Sequence, residues 1–239
     1  MTAPPRPSLI TFEERSSDSP FVERVWRSHS DRSGTFSSIA ACHWDIVVVR
    51  LGARPSVIVR GPETKATTAD CPAHGEWMGI RFKLGTFMPM LPPSSVRDRA
   101  DVTLPHATGR SFWFNGSEWE YPTFDNAETF VARLVRSGAI VHDPVIRDAI
   151  NGDTRAVPPR TEQRRFLRST GLPRGAILQI ERARRATRLL RQGRSILDAT
   201  HQAGYYDQAH LTRSLKRWIG QTPARVGRPD QQLSFLYNP

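Results

Sequence analysis

The chain has 239 residues, enough for two modest domains that each bury a core. Its formal net charge is +11, and residues 141–239 carry most of the excess, with 18 basic and 8 acidic side chains against 16 and 15 in residues 1–140. This imbalance indicates one nearly neutral domain and one domain that meets a polyanion. The two cysteines, Cys42 and Cys71, imply no disulfide framework, and the lack of a long apolar run argues against a signal peptide or membrane span. We therefore expect a cytoplasmic protein.

Residues 1–20 are rich in proline and serine, and we expect them to be loose. The following part has β texture, with runs of β-branched and aromatic residues separated by glycine- and proline-bearing turns, as in a small barrel or sandwich. The predicted strands lie in Ser38–Leu51, Ser56–Arg60, Glu76–Leu84 and Ser111–Phe114. A helix is predicted over Asp125–Arg136, where the apolar residues change to helical spacing.

From Asp143 onward the chain reads as helical and basic, and it contains an internal repeat. Residues 164–171 and 213–220 share the pattern R-x-apolar-x-R-x-x-G at an offset of 49 residues. Between them, residues 174–192 have apolar side chains on one face and arginines on the others. The repeat predicts two related helical units joined by one long helix.

The second unit, Ser195–Pro223, has the pattern of a helix-turn-helix. Ser195 and Asp207 are expected to cap its two helices, and Gly204 is expected to supply the left-handed residue that ends the first helix. In the second helix one apolar face and one polar, aromatic and basic face are predicted. The apolar face comprises Leu211, Leu215, Trp218 and Ile219, and the polar face Tyr206, His210, Arg213 and Arg217.

The first unit is less regular. Its leading helix is expected over Pro144–Ile150, followed by a looser turn at residues 151–153. Val157-Pro158-Pro159 is expected to open the recognition helix, because proline is tolerated at a helix start. Glu162 takes the position of Leu211, which predicts looser docking of this helix on its partner.

The second unit resembles the second DNA-binding subdomain of the AraC/XylS family of transcription regulators. Many positions match at fixed spacing, and Thr200 departs from the pattern, since the family usually has a small alanine there. The matching residues are Ser195-Ile196, Gly204-Tyr205, Asp207-Gln208, His210-Leu211, Arg213, Leu215-Lys216-Arg217, Gly220 and Thr222-Pro223. The resemblance implies two helix-turn-helix subdomains joined by a long helix, in a bacterial DNA-binding regulator.

The β-rich part resembles, over about half its length, the cupin-like sensor domain that precedes many AraC-type DNA-binding domains. Gly79-Ile80-Arg81-Phe82, Gly85 and the run Leu91–Leu104 carry this resemblance. It implies a domain that binds a small-molecule effector or mediates self-association. The candidate pocket residues are Trp44, Trp77, Phe82 and Trp113, with core packing as the alternative for each. Its histidines are scattered without an H-x-H pair, so we expect no metal and no cofactor.

The predicted fold class is therefore α+β, a mainly-β cupin-like domain followed by an all-α domain with two helix-turn-helix subdomains. The expected boundaries are residues 1–20 for the loose segment, 21–140 for the cupin-like domain, 141–228 for the DNA-binding domain and 229–239 for a tail. The expected partners are double-stranded DNA, a small-molecule effector, RNA polymerase and a second copy of the chain, with no membrane.

The predicted DNA-binding residues lie on the two recognition helices. Arg213 and Arg164 are equivalent in the repeat and are the expected base readers, since arginine binds guanine O6 and N7 bidentately. Their expected neighbours at the groove are Tyr206, Asp207, Gln208, Ala209, His210 and Thr212, and in the first unit Arg160, Thr161 and Gln163. The expected phosphate contacts are Arg165, Arg168, Lys216 and Arg217. The alternative for any single arginine is a solvated charge.

Two other functions stay open at this point. One is a cupin-like enzyme with a nucleic-acid-targeting domain, against which the missing metal ligands and the lack of a nucleophile–base arrangement argue. The other is a non-specific architectural DNA binder, which the irregular first unit and the dense arginines suggest. We expect a regulator without enzymatic activity.

Overall fold

The computed structural model describes residues 9–99, 101–150 and 158–228. The fold is α+β, as predicted: a β-rich region over residues 10–120 precedes a helical region. The strands are β1 (Ile10–Ser16), β2 (Val22–Ser30), β3 (Gly34–Ser38), β4 (Asp45–Arg50), β5 (Ser56–Arg60), β6 (Thr67–Cys71), β7 (Glu76–Phe82), β8 (Thr86–Phe87), β9 (Val102–Leu104), β10 (His106–Thr108), β11 (Ser111–Phe114), β12 (Ser117–Glu120) and β13 (Val141–His142).

Eight helices complete the described part of the chain. They are α1 (Pro93–Val96), α2 (Ala127–Arg136), α3 (Val145–Ile150), α4 (Pro159–Thr170), α5 (Arg174–Arg191), α6 (Ile196–Gln202), α7 (Gln208–Trp218) and α8 (Pro223–Val226). Within the described ranges, none of these helices is long and apolar enough to cross a membrane.

The β-rich region is built on a six-stranded antiparallel sheet in the order β1-β2-β7-β4-β5-β9. One face of this sheet packs against the β10-β11-β12 sheet and α2. β4 and β5 are apolar along nearly their whole length, and every second residue of each strand points to this face, as the period of two in a β-strand requires. Its core includes Ile46, Val48, Val57, Val59, Ile80, Phe82, Phe112, Trp119 and Phe130.

The opposite face of the sheet is centred on Trp26, which is fully buried. Its indole lies over Gly79 on the neighbouring strand β7, where an added Cβ would sit 2.1 Å from the indole Cε2. Val47 and Val49 pack beside it. Glycine at position 79 therefore leaves the space that the tryptophan fills.

The prediction that residues 1–20 are loose is wrong for residues 10–16. β1 pairs with β2 along its whole length, from Ile10 opposite Ser30 to Ser16 opposite Arg24. Ile10 is buried, and the Arg15 guanidinium lies 2.6 Å from the Glu128 carboxylate of α2. The high proline and serine content of residues 1–20 masked this strand in the sequence. Its charged side chains are paired with residues on neighbouring elements, which the sequence alone does not show.

Of the predicted strand over Ser38–Leu51, only Asp45–Arg50 forms a continuous strand, β4, and Ser38 is the last residue of β3. β3 pairs with β6 in a separate two-stranded sheet, whereas β4 joins the main sheet. The connection between them, residues 39–44, leaves both sheets and turns toward the helical region. Ile39, Ala40 and Cys42 lie in the same hydrophobic cluster as the buried residues of α4 to α8.

The β-rich and helical regions make further direct contacts. The backbone N–H of Ala40 donates to the carbonyl of Trp218 at 2.8 Å, at the end of α7. Arg97 Nη1 donates to the carbonyl of Gly171 at 3.0 Å, at the end of α4. Hydrogen bonds and a shared core thus join the two regions.

We predict that Gly79→Ala lowers the free energy of unfolding by about 1–3 kcal/mol, because the new methyl group would overlap the Trp26 indole. Urea unfolding followed by circular dichroism measures the change. Gly52→Ala is the matched control, since no atom lies within 4 Å of its added Cβ. Equal midpoints for the two variants would contradict this account of the Trp26 contact.

Candidate nucleic-acid interface

The second helix-turn-helix unit consists of α6 and α7, and both predicted caps are confirmed. Ser195 Oγ accepts from the backbone N–H of Asp198 at 3.0 Å, and Asp207 Oδ1 accepts from that of His210 at 2.6 Å. Each satisfies one of the backbone donors that a helix start leaves unpaired. The starts of both helices are therefore fixed by the sequence itself.

The turn between α6 and α7 is ordered by Gly204 and Tyr205. Gly204 has a φ of +76°, the left-handed conformation predicted for it. Tyr205 is buried, its hydroxyl lies 2.8 Å from Ser214 Oγ of α7, and its ring meets that of His210 edge-on at 5.1 Å. Burial raises the pKa of Tyr205, so the phenol stays protonated.

The two faces of α7 separate as predicted. Leu211, Leu215 and Trp218, with Ile219 just beyond, are buried against α5 and α6. The opposite side is open to solvent, with Tyr206 88% exposed just before the helix. The exposed predicted site residues here are Asp207, Gln208, Ala209, Arg213, Lys216 and Arg217, and the half-buried ones are His210 and Thr212.

Two of these side chains are engaged within the helix. The Asp207 carboxylate is occupied by the cap, and Thr212 Oγ1 donates to the Gln208 carbonyl at 2.8 Å. Arg217 lies over the Trp218 ring at 4.4 Å from its centroid. These contacts order the surface and leave Arg213 as the central exposed arginine of α7.

Thr200, the departure from the family pattern, is buried on α6. Its hydroxyl donates to the Ile196 carbonyl at 2.7 Å, so the polar group is paired inside its own helix. This back-bonding is how threonine is tolerated within a helix. The helix-turn-helix geometry is kept with the larger side chain.

The first unit consists of α3 and α4. Pro158 and Pro159 open α4 as predicted, with the Pro158 carbonyl accepting from the backbone N–H groups of Thr161 and Glu162 at 2.9 and 3.0 Å. Gly171, at a φ of +73°, ends the helix. The predicted turn at residues 151–153 and Val157 lie outside the described residues.

Glu162 is accommodated at the position that Leu211 occupies in the second unit. Its side chain is only 15% exposed, and Oε1 lies 3.9 Å from Nη1 of Arg174 at the start of α5. A charge partner therefore takes the place of apolar packing. The buried face of α4 is carried by Phe166, Ser169 and Thr170 instead.

The exposed surface of α4 carries Arg160, Gln163 and Arg164, with Thr161 half-buried at its edge. Two predicted phosphate contacts are partly engaged elsewhere. Arg165 lies 3.8 Å from Asp143, and Arg168 lies over the ring of Phe87 in the β-rich region, 5.6 Å from its centroid. Arg164 thus matches Arg213 in exposure as well as in the repeat.

Several exposed arginines on and just after the connecting helix α5 were not among the predicted DNA-binding residues. α5 spans Arg174–Arg191, close to the predicted 174–192, and the exposed residues are Arg182, Arg185, Arg188 and Arg194. The sequence shows that this stretch is rich in arginine, but which of these arginines are exposed depends on how α5 packs. Their exposure makes them further candidates for phosphate contacts.

The four candidate effector residues do not line one pocket, which corrects that expectation. Trp44 and Phe82 stack at 3.9 Å between centroids inside the core, and Trp44 Nε1 donates to the Thr86 carbonyl. Trp113 is 46% exposed on β11. Of the four, only Trp77 lines the cavity of about 510 Å³ between the main sheet and residues 122–125.

Comparison with protein families gives one match in this part of the chain. Residues 154–228 match the family model described as a helix-turn-helix domain, of the AraC type. Neither the comparison with curated proteins nor that with solved structures gives a match. The family match supports a DNA-binding transcription regulator of the AraC type.

We predict that Asp207→Ala lowers the free energy of unfolding by about 1 kcal/mol, because the N–H of His210 loses its acceptor. Thermal or urea unfolding of the full chain measures it. Asp207→Asn is the control, since asparagine caps a helix as well as aspartate does. An alanine variant as stable as the asparagine variant would show that the cap contributes nothing.

Proposed function

We propose that the chain is a transcription regulator that reads promoter DNA sequence-specifically with α4 and α7 in successive major grooves. The observation that carries the proposal is the equivalence of Arg164 and Arg213. Each is exposed on the second helix of its unit, at the same place in the repeat. A major groove accepts one such helix and presents guanine O6 and N7 to an arginine.

The surroundings of Arg213 support base reading by α7. Gln208 and Ala209 are exposed at the start of the helix, where a recognition helix approaches base edges. Glutamine pairs with adenine N6 and N7, and a small alanine leaves room for a thymine methyl group. Tyr206 stands beyond them, almost fully exposed.

The remaining cations suit the phosphate backbone. Lys216 and Arg217 lie toward the end of α7, and the exposed arginines of α5 add positive charge between the two units. Contacts of this kind position a protein on DNA without specifying its sequence. They also make binding dependent on salt, because bound counterions are released.

Control by a small molecule is the finer part of the proposal. The cavity between the main sheet and residues 122–125 is the candidate effector site. Its wall includes the Arg27 guanidinium, 4.8 Å from the ring centroid of Phe124 and paired with Glu13 at 2.6 Å. Apolar side chains of Val48 and Met78 complete a wall that suits a ligand with both polar and apolar parts.

The proposed function assigns no catalytic reaction to the chain. RNA polymerase and a second copy of the chain are further partners that a regulator of this type would engage. Both stay predictions.

We predict that Arg213→Ala weakens binding to the preferred duplex by about 1–3 kcal/mol and relaxes the preference at one base position. Titration of duplexes selected from a random pool, and of scrambled ones, measures both effects. Arg136→Ala removes another exposed arginine, from α2, and should leave both unchanged. A uniform loss on every sequence would make Arg213 a phosphate contact only.

The first unit is tested by the selected site itself. We predict two sequence blocks about one helical turn apart, preferred over scrambled DNA by about 10³-fold or more at near-physiological salt. Arg164→Ala should relax one block and leave the block read by Arg213 intact. A single block unaffected by Arg164→Ala would restrict base reading to α7, and no preferred site would favour a general DNA binder.

A further inference from the structure

Three potential metal ligands from distant parts of the sequence meet where the β-rich and helical regions join. Cys42 and His43 lie in the connection between β3 and β4, and Glu181 lies on α5. Cys42 Sγ is 3.1 Å from Glu181 Oε1 and 3.4 Å from His43 Nδ1. The three ligand atoms all lie within 4.8 Å of one another.

These distances suit a tetrahedral zinc site. With Zn–S near 2.3 Å and Zn–N and Zn–O near 2.1 Å, tetrahedral angles place the sulfur about 3.6 Å from the other two ligand atoms. The sulfur lies 3.1 Å from the Glu181 oxygen and 3.4 Å from the His43 nitrogen, so a bound ion would move the carboxylate about 0.5 Å and the imidazole about 0.2 Å away from the sulfur. Among the described residues the cluster offers three ligand atoms, so a water molecule would complete the tetrahedron.

The other nitrogen of His43 faces a carboxylate. Nε2 lies 3.0 Å from Glu23 Oε2 of β2. A carboxylate beside the second ring nitrogen is the usual outer partner of a metal-binding histidine, because it holds the proton on that nitrogen. With the proton on Nε2, Nδ1 would be free to bind a metal beside the Cys42 sulfur, 3.4 Å away.

Two carboxylates lie at the cluster, Glu181 beside Cys42 and Glu23 beside His43. Glu23 also lies 3.5 Å from Arg24, and Arg81 is paired with Asp45 at 3.1 Å. A divalent cation that binds the Cys42 sulfur would displace the thiol proton to solvent, and the resulting thiolate would offset one of the two positive charges of the ion.

The cluster has a route to solvent. A cavity of about 210 Å³ is lined by His43 and Glu23, together with residues of the β7–β8 connection and α3. Cys42 itself is buried among the apolar side chains shared by the two regions. Lys83 and Arg147 also line this cavity, so an entering cation would pass two positive charges before it reaches the imidazole.

We propose that Cys42, His43 and Glu181 bind one zinc ion, which links the β-rich region to the connecting helix α5. Thiolate, imidazole and carboxylate are all ligands that zinc accepts, and the mixture disfavours magnesium and calcium. The bound ion would hold residues 42–43 against α5 more firmly than the thiol–carboxylate hydrogen bond does. The proposal is independent of whether the chain reads DNA.

Cobalt titration of the full-length, chelator-treated chain tests the site directly. Co²⁺ occupies zinc sites, and its thiolate bond gives a charge-transfer absorption that reports sulfur ligation. One equivalent of Co²⁺ should produce this absorption, and one equivalent of Zn²⁺ should abolish it. Cys71→Ser is the control and should behave as the parent chain, because Cys71 is equally buried but lies in β6 outside the cluster.

Four variants separate the roles of the surrounding groups. Cys42→Ser should lose the absorption. Glu23→Gln should keep it with metal affinity about 10–100-fold weaker, the usual effect of removing an outer partner. His43→Gln and Glu181→Gln should keep it with affinity at least about tenfold weaker. Circular dichroism shows whether each variant is folded. If Cys42→Ser is not folded, His43→Gln and Glu181→Gln test the site in its place.

The same titration can also contradict the proposed zinc site. A parent chain without the thiolate absorption, or a Cys42→Ser variant that retains it, would overturn the site. Unchanged affinity in Glu181→Gln would overturn the link to α5, because the ion would then belong to the β-rich region alone. If all four variants bound the metal as tightly as the parent chain, the metal would be bound by histidines outside the cluster.

Discussion

The packing of residues 39–42 into the helical core is the constraint on which the arrangement of the two regions depends. Ile39, Ala40 and Cys42 leave the β sheets and join the cluster formed by Phe166, Ile180 and Trp218. Burying apolar side chains of one region in the core of the other makes their separation costly, because each would return to water. The described parts of the two regions therefore pack as one body at this boundary.

The buried pair of Asp45 and Arg81 sits beside this boundary. Both side chains are almost fully buried, and two hydrogen bonds join them across neighbouring strands β4 and β7. The Asp45 carboxylate raises the pKa of Arg81, so the arginine keeps its charge in the interior. Such a pair restricts the register of β4, because only one alignment leaves both charges satisfied. β4 follows directly after residues 39–44, so the pair also fixes where that connection ends.

Local features of the helical region could be predicted from the sequence, since caps, glycine turns and apolar spacing act over a few residues. Ser195, Gly204 and Asp207 all take the predicted roles. The strand at Ile10–Ser16 and the break after Ser38 could not be predicted in this way, because they depend on partners far along the chain. The prediction that four aromatic residues line one pocket was wrong for the same reason. A sequence can indicate that a side chain is buried, but it does not show on which face of a sheet that side chain packs. The meeting of Cys42 with Glu181 spans 139 residues and has no local signal.

The hydrogen bonds from Ala40 and Arg97 reach the carboxyl ends of two helices, at Trp218, the last residue of α7, and at Gly171, just after α4. Each of these helices is therefore held at its carboxyl end by the β-rich region, in addition to its attachment through α5. In a regulator that reads two grooves, the β-rich region would then help to set the distance between α4 and α7. A change in the connection between β3 and β4, which carries Ala40, would then alter how α7 is held, with every exposed residue of α4 and α7 left in place.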